Sequence, residues 1–167
     1  ITYLEKKDSD KSKRIKISPV VKVIYNGRAA ADFSDSDFKI QSGRLVCIDN
    51  NNDGTAEVVS VEEYGFMIAD SISASSEAIY NIYKTPEKLS LKEDDNDITV
   101  YLNGERSEYT LLPEKSVLAI LQSRDTTDKI VKIEASDKKV TGNVSNINSA
   151  DDEITVDGEV YSLSECY

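Results

Sequence analysis

The sequence predicts an all-β protein made of two tandem small β-barrel or β-sandwich-like repeats related by internal duplication. Short runs of β-branched residues are separated by turn residues throughout the 167 residues, and no segment carries a convincing helical period. When the chain is aligned with itself at an offset of 72, residues 45–62 fall on residues 117–134. Apolar residues then coincide at Leu45/Val117, Val46/Leu118, Ile48/Ile120, Val58/Ile130, Val59/Val131 and Val61/Ile133.

This duplication also predicts the domain boundaries. We expect an arm or linker over residues 1–12, a first β-repeat over residues 13–87 and a second β-repeat over residues 88–167. The first segment is polar and charged, whereas alternation of apolar and polar residues begins at Arg14. A repeat of this size buries a thin hydrophobic core, so we expect it to pack against its neighbour.

Three dipeptides between β-rich runs predict tight hairpins. They are Asn26-Gly27, Asn103-Gly104 and Asp157-Gly158. A two-residue type I′ turn needs positive φ at both central residues, and Asn-Gly and Asp-Gly supply it at the lowest cost. The first two pairs are 77 residues apart rather than 72, so the first repeat carries five extra residues after its hairpin. We expect this insertion to be a surface loop.

Charge and composition exclude several classes of function. The net charge is −11; residues 1–19 hold six Lys or Arg and three Asp or Glu, which leaves −14 on residues 20–167. This negative field repels a phosphate backbone, so we expect no nucleic-acid binding. No apolar run approaches the ~18 residues that a membrane span requires, so we expect no membrane span.

The residue types that carry catalysis are poorly represented. Histidine is absent, and the two cysteines, Cys47 and Cys166, form no CxxC pair. We expect Cys47 to be a small buried thiol within a strand. The carboxylates lie in turns and charged runs, and the chain has no nucleophile elbow, phosphate-binding glycine loop or metalloenzyme histidine motif. We therefore expect no catalytic residues and no enzymatic activity.

One acidic turn has the spacing of a calcium loop. Oxygen ligands recur at alternate positions of the turn, with Gly54 at the sixth position, where the chain must turn sharply. The predicted ligands of Ca²⁺ are Asp49, Asn51, Asp53, Thr55 through its carbonyl, and Glu57. The loop departs from an EF-hand, because Ser60 replaces the bidentate glutamate and strands replace the flanking helices. The alternative interpretation is a solvated polar hairpin turn; the second repeat, which has Gln122, Ser123 and Lys129 at related positions, evidently needs no metal there.

The tyrosines suggest a different kind of site. Five of them could form a platform on which sugar rings stack, or could be ordinary packing residues of strands: Tyr64, Tyr80, Tyr83, Tyr101 and Tyr109. An exposed row of tyrosines would favour glycan binding, and burial in separate cores would count against it.

The sequence D-N-N-N-D-G-T-A-E-V-V-S-V-E-E-Y at residues 49–64, with V-I-Y-N-G at residues 23–27, resembles a segment of Gram-positive, Clostridia-like surface proteins. In those proteins the segment follows S-layer homology domains. Residues 139–163, K-V-T-G-N-V-S-N-I-N-S-A-D-D-E-I-T-V-D-G-E-V-Y-S-L, are similar to the β-rich repeats of the same proteins. The resemblance implies an extracellular location at the cell wall or cell surface. The S-layer homology motif itself is absent from this chain.

Together these observations predict a non-catalytic extracellular structural or spacer module of a bacterial cell-surface protein, stiffened by structural Ca²⁺. Its expected partners are neighbouring domains of the same surface protein and cell-wall glycan. The alternative is a β-module that binds a carbohydrate or a host ligand.

Overall fold

The fold is described by a computed structural model that covers residues 1–4, 12–92, 96–124 and 129–162. Within these ranges the regular elements are strands, apart from two short 3₁₀ turns at Asp35–Phe38 and Tyr109–Leu111. The all-β class predicted from the sequence is therefore confirmed.

The strands, in chain order, are β1 (Thr2–Leu4), β2 (Ser12–Arg14), β3 (Lys16–Tyr25), β4 (Arg28–Ala30), β5 (Gly43–Ile48), β6 (Thr55–Ser73), β7 (Ala78–Asn81), β8 (Lys88–Ser90), β9 (Asn96–Leu102), β10 (Glu105–Ser107), β11 (Val117–Gln122), β12 (Lys129–Ser136), β13 (Val144–Asn148), β14 (Glu153–Val156) and β15 (Glu159–Ser162). Strands β1 and β2 pair with each other, and β13, β14 and β15 form a three-stranded antiparallel meander. The remaining ten strands form one sheet, with the main order β10-β9-β12-β11-β6-β3-β4.

The predicted arrangement as two small barrels or sandwiches is wrong. The strands are arranged as a β-solenoid of about three turns. Two closed repeats would require the sheet to end within each repeat, but strands from both predicted repeats lie in the same ten-stranded sheet. The physical reason is β6, which is 19 residues long and continues through Gly65 without a turn. It pairs in parallel with β3 and antiparallel with β5, and its later residues pair with β7.

The chain divides into two compact units, each of which is discontinuous in sequence. Unit 1 comprises residues 1–64 and 121–130, and unit 2 comprises residues 65–120 and 131–167. The boundaries at residues 12 and 87 stay a prediction.

Each unit has its own hydrophobic core. The core of unit 1 is formed by Val23, Tyr25, Val59 and Val61, with partly buried Ile17, Val21, Ala30, Phe38, Ile40, Leu45 and Cys47 around it. The core of unit 2 is larger and contains Met67, Ala69, Ile79, Leu89, Leu91, Val100, Leu112, Leu118, Val131, Ile133 and Ala135. Full burial of one such aliphatic side chain contributes about 1.5–3 kcal/mol.

All three predicted hairpins are present. Both central residues have positive φ at Asn26-Gly27 (47° and 86°), Asn103-Gly104 (54° and 90°) and Asp157-Gly158 (49° and 89°). The flanking pairs Tyr25/Arg28 and Leu102/Glu105 are in the same register relative to their turns. The turn chemistry of asparagine and glycine thus fixes the pairing of the strands that follow it.

The burial of equivalent residues agrees between β6 and β12 but differs between β5 and β11. Val59 and Val131 are both fully buried, as are Val61 and Ile133. Val46, however, is 40% exposed, whereas Leu118, the residue predicted to be equivalent to it, is 0% exposed. In β5 it is Leu45 and Cys47 that pack against the core. A shift of one residue in a strand reverses which side chains face inward, and this explains why the predicted equivalence fails at Val46 and Leu118.

Candidate metal centre

The acidic turn predicted to bind calcium lies between the end of β5 at Ile48 and the start of β6 at Thr55. The chain reverses through two residues in the left-handed region, Asn52 with φ 61° and Gly54 with φ 83°. An added Cβ at Gly54 would meet nothing within 4 Å, so the glycine serves the backbone conformation rather than a close approach.

The structure brings three of the predicted ligands together. Asp49, Asp53 and Glu57 each present a carboxylate oxygen, and these three oxygens all lie within 4.8 Å of one another. Oxygen ligands of Ca²⁺ lie about 2.3–2.6 Å from the ion, so two ligands of one ion are separated by at most about 5 Å. The spacing of the three carboxylates is therefore compatible with a single ion.

Backbone hydrogen bonds fix the carboxylate of Asp49 at the start of the turn. Its Oδ2 accepts a hydrogen bond from the N–H of Gly54 at 2.7 Å, and its Oδ1 accepts from the N–H groups of Asp53 (3.2 Å) and Asn51 (3.3 Å). Partial desolvation of the carboxyl raises its pKa, but backbone N–H donors, Gly54 foremost, together outweigh that effect and lower the pKa of Asp49. Asp49 is thus held in its charged form.

The other predicted ligands are held by the same kind of local bond. The Nδ2 of Asn51 donates to Oδ2 of Asp53 at 3.1 Å, and the N–H of Thr55 donates to Oδ1 of Asp53 at 2.8 Å. The N–H of Asn50 donates to Oε2 of Glu57 at 2.8 Å. The bonded oxygens of Asp53 and Glu57 each accept one of these hydrogen bonds and have a second lone pair, so the bonds leave acceptor capacity for a cation. The same hydrogen bonds hold the turn when no ion is bound. The geometry is therefore compatible with a calcium loop and with a solvated polar turn.

The described residues beside the related turn of the second copy include a serine that bonds the backbone. Asp125 lies outside the described residues. Ser123 is buried, and its Oγ accepts a hydrogen bond from the N–H of Ile130 at 2.9 Å. A hydroxyl group here makes a backbone contact of the kind that carboxylates make in the first copy.

The five tyrosines considered for glycan stacking differ in exposure. Of the five tyrosines considered for glycan stacking, Tyr83 is exposed and the other four are half-buried. Tyr109 packs against the core of unit 2, which counts against a row of exposed rings.

Cys47 is a half-buried free thiol whose pKa is raised by burial. Cys166 lies outside the described residues.

The sequence analysis missed a polar cluster in unit 1. The guanidinium carbon of Arg124 lies 3.9 Å from the ring centroid of Tyr25, and Nη2 of Arg124 donates to Oδ1 of Asp37 at 2.6 Å. The hydroxyl of Tyr25 donates a short hydrogen bond to Oε2 of Glu63. No spacing rule connects these residues, because they come from β3, the 3₁₀ turn, β6 and the segment after β11.

The polar groups of the cluster are hydrogen-bonded to one another. Burial, followed by the hydrogen bond to Glu63, raises the pKa of Tyr25, and the hydrogen bond from Arg124, followed by that from Ser34, lowers the pKa of Asp37 to about 2. Beside it, Nδ2 of Asn26 donates to the carbonyls of Glu63 (3.1 Å) and Gln122 (2.8 Å). These groups bind one another, which is the arrangement of a structural network.

Comparison of the chain with protein-family models, with curated proteins and with solved structures finds no match. Among the residues that the structure describes, no helix has the length and apolar character needed to cross a membrane.

Proposed function

We propose that the chain is a non-catalytic structural or spacer module of an extracellular bacterial cell-surface protein. The observation that carries this proposal is the repeat-like stacking of β-strands around hydrophobic cores. In repeat proteins each stacked repeat gains stability from its neighbours, and a spacer can be built from such repeats.

The extracellular location rests on the resemblance of residues 49–64 and 139–163 to Gram-positive surface proteins. Neighbouring domains of the same surface protein are the partners that this proposal implies, with cell-wall glycan as a further one. An immunogold label on intact cells that produce the parent protein, compared with cells made permeable, tests the location directly. Labelling that requires permeabilisation would refute it.

We further propose that the turn from Asp49 to Glu57 binds one structural Ca²⁺. The mutual spacing of the Asp49, Asp53 and Glu57 carboxylates supports this proposal. Asn51 would add its side-chain oxygen and Thr55 its carbonyl, which gives a set of hard oxygen ligands. Binding would stiffen the connection between β5 and β6.

A thermal melt with calcium and with a chelator tests the ion site. A ligand at about one hundred times its Kd stabilises the folded state by about 2.7 kcal/mol, so calcium should raise the melting temperature of the wild type. Asp53→Ala should abolish that increase, whereas Asp32→Ala, which removes an exposed carboxylate elsewhere in unit 1, should retain it. A wild-type melting temperature that does not respond to calcium up to about 10 mM, roughly ten times the weakest dissociation constant usual for extracellular calcium modules, would refute calcium binding.

A further inference from the structure

The turns at Asn26-Gly27 and Asn103-Gly104 share one backbone conformation. The two asparagines have φ of 47° and 54°, and the two glycines have φ of 86° and 90°. In each turn the backbone N–H of the asparagine donates to a carbonyl of a neighbouring strand, at 2.9 Å in the first turn and 2.8 Å in the second. The two asparagines are thus a matched pair in which the surroundings of the side chains can be compared.

The side chain of Asn26 is buried and held at both ends of its amide. Its Nδ2 donates to the carbonyls of Glu63 (3.1 Å) and Gln122 (2.8 Å), and its Oδ1 accepts a hydrogen bond from the N–H of Glu63 at 2.8 Å. Asn26 is 2% exposed, and Cδ1 of Ile130 lies 3.0 Å from the position that a Cβ on Gly27 would take. Rotation of this amide would leave buried donors and acceptors without partners, which opposes the rotation strongly.

The side chain of Asn103 is exposed and is held by fewer bonds. Its Nδ2 donates to Oδ1 of Asp137 at 2.7 Å, and its Oδ1 accepts a longer hydrogen bond from the hydroxyl of Ser136 at 3.4 Å. Apart from the chain neighbours of Gly104, no atom of the described residues lies within 4 Å of the position that a Cβ there would take. Water can replace both exposed bonds, so the amide of Asn103 is free to rotate toward the following backbone nitrogen.

We propose that Asn103-Gly104 is a site of spontaneous deamidation and that Asn26-Gly27 is protected from it. The backbone nitrogen of Gly104 attacks Cγ of Asn103, and its proton passes to water. The bond between Cγ and Nδ2 then breaks, and Nδ2 takes up a proton and leaves as ammonia. Water opens the resulting five-membered succinimide at either carbonyl, which gives aspartate or isoaspartate. Glycine hinders the attack least, because it has no side chain.

The modification removes the bond between Asn103 and Asp137. In the aspartate product a carboxylate replaces the Nδ2 donor, so two acceptors of like charge face each other across a contact that is now 2.7 Å. In the isoaspartate product an extra backbone carbon lengthens a turn of two residues, which no longer fits the type I′ geometry. Both products therefore loosen the hairpin of β9 and β10, and β10 is the last strand in the main order of the sheet. The inference goes beyond the proposed spacer function and depends neither on calcium nor on the cellular location.

Peptide mapping by mass spectrometry, on protein incubated in neutral buffer with and without guanidinium chloride, measures the two rates. Trypsin releases Asn26 within residues 23–28 and Asn103 within residues 93–106, and fragment ions assign the mass gain of amide-to-acid exchange to one residue. In the folded protein Asn103 should deamidate at least about tenfold faster than Asn26, because breaking the buried bonds of Asn26 adds to the activation free energy. In the unfolded chain the two rates should agree within about threefold, because water then reaches the same dipeptide at both places.

Two results would overturn the proposal. One is an equal rate at Asn26 and Asn103 in the folded protein. The other is an Asn103 that stays intact in the folded protein while both asparagines react in the unfolded chain, because the turn would then protect it. Asn103→Gln is the matched control: its longer side chain would have to close a six-membered ring, which forms far more slowly, so residue 103 should gain no mass.

Asn103→Asp reproduces the aspartate product in every molecule and tests the effect on the hairpin. It should lower the melting temperature, because two carboxylates then meet at Asp137. Adding Asp137→Asn to the same chain restores an amide–carboxylate pair with the two roles exchanged, so the double variant should regain most of the lost melting temperature. An Asn103→Asp variant that melts at the temperature of the wild type would refute the loosening of the hairpin.

Discussion

Arg124 lies over the aromatic ring of Tyr25, with its guanidinium carbon 3.9 Å from the ring centroid. The same guanidinium group donates a hydrogen bond of 2.6 Å to Asp37 in the insertion that follows the first hairpin. Residues 121–130 are separated from the rest of unit 1 by 56 residues of unit 2, from Gly65 to Ile120. The arginine therefore attaches a distant segment of sequence to unit 1 through both a ring and a carboxylate.

Arg124→Ala should lower the melting temperature because it removes both contacts. The interaction between the cation and the ring contributes about 0.5–1 kcal/mol at a partly exposed site. Arg44→Ala is the matched control, since Arg44 forms an ion pair with Glu62 at 2.8 Å but is largely exposed. We expect little change in the control, because solvent screens exposed ion pairs. Equal decreases in melting temperature for the two substitutions in differential scanning calorimetry would show that the ring contact contributes no measurable stability.

Acid should destabilise the protein partly through Asp37. Its pKa is lowered from 3.8 to about 2 in the folded state, so the folded state favours the charged form. This stabilisation is fully present above the unfolded pKa near 3.8 and is lost as the pH falls toward about 2. Urea unfolding measured from about pH 5 to about pH 2 should show a steeper loss of stability for the wild type than for Asp37→Asn. Parallel pH profiles of the two proteins would contradict this assignment.

Leu118→Ala and Val46→Ala should have very different effects, although the two positions are equivalent in the sequence alignment. Leu118 is fully buried in the core of unit 2, and truncation of a buried leucine costs about 2–5 kcal/mol. Val46 is partly exposed, so its truncation should cost less than about 1 kcal/mol. Free energies of unfolding from chemical denaturation measure the difference. Similar losses at the two sites would mean that both face a core.

Gly43→Ala should be far more damaging than Gly54→Ala. Both glycines have positive φ, 135° and 83°. At Gly43 an added Cβ would collide with the backbone carbonyl of Glu62 on the paired strand, whereas at Gly54 the space is open. We expect roughly 2–4 kcal/mol for the first substitution, and about 1–2 kcal/mol of backbone strain for the second. Thermal melts of the two variants give the comparison, and an equal shift would indicate that β5 can move away from β6.

Local features of the fold were predictable from the sequence because they depend on adjacent residues. Asn26-Gly27 determines its own backbone conformation, and the register of β3 with β4 follows from it. The clustering of Asp49, Asp53 and Glu57 was predictable for the same reason, since a turn of nine residues brings them together wherever the loop lies.

The arrangement of strands was not predictable in the same way. The first part of β6 pairs with β3 and β5, and its later part pairs with β7. Whether the strand ends at Tyr64 or continues to Ser73 therefore depends on two sets of partners that lie far apart in the sequence. The reversed faces of β5 and β11 likewise reflect pairing register, which a repeat of apolar residues at one offset does not encode. The contact between Arg124 and Tyr25 has no sequence signal, because it forms only once the chain has folded.

The discontinuity of unit 1 determines the order in which the protein can mature during synthesis. The ribosome releases β3 and β5 early, but the segment that carries Gln122 and Arg124 emerges only after residues 65–120 have been made. Until then Asn26 lacks the carbonyl of Gln122 and Tyr25 lacks its cation. The amino-terminal part of the chain thus cannot reach its final state while nascent, and a ribosome stalled before residue 121 would display an incomplete unit 1 to the chaperones of the cell.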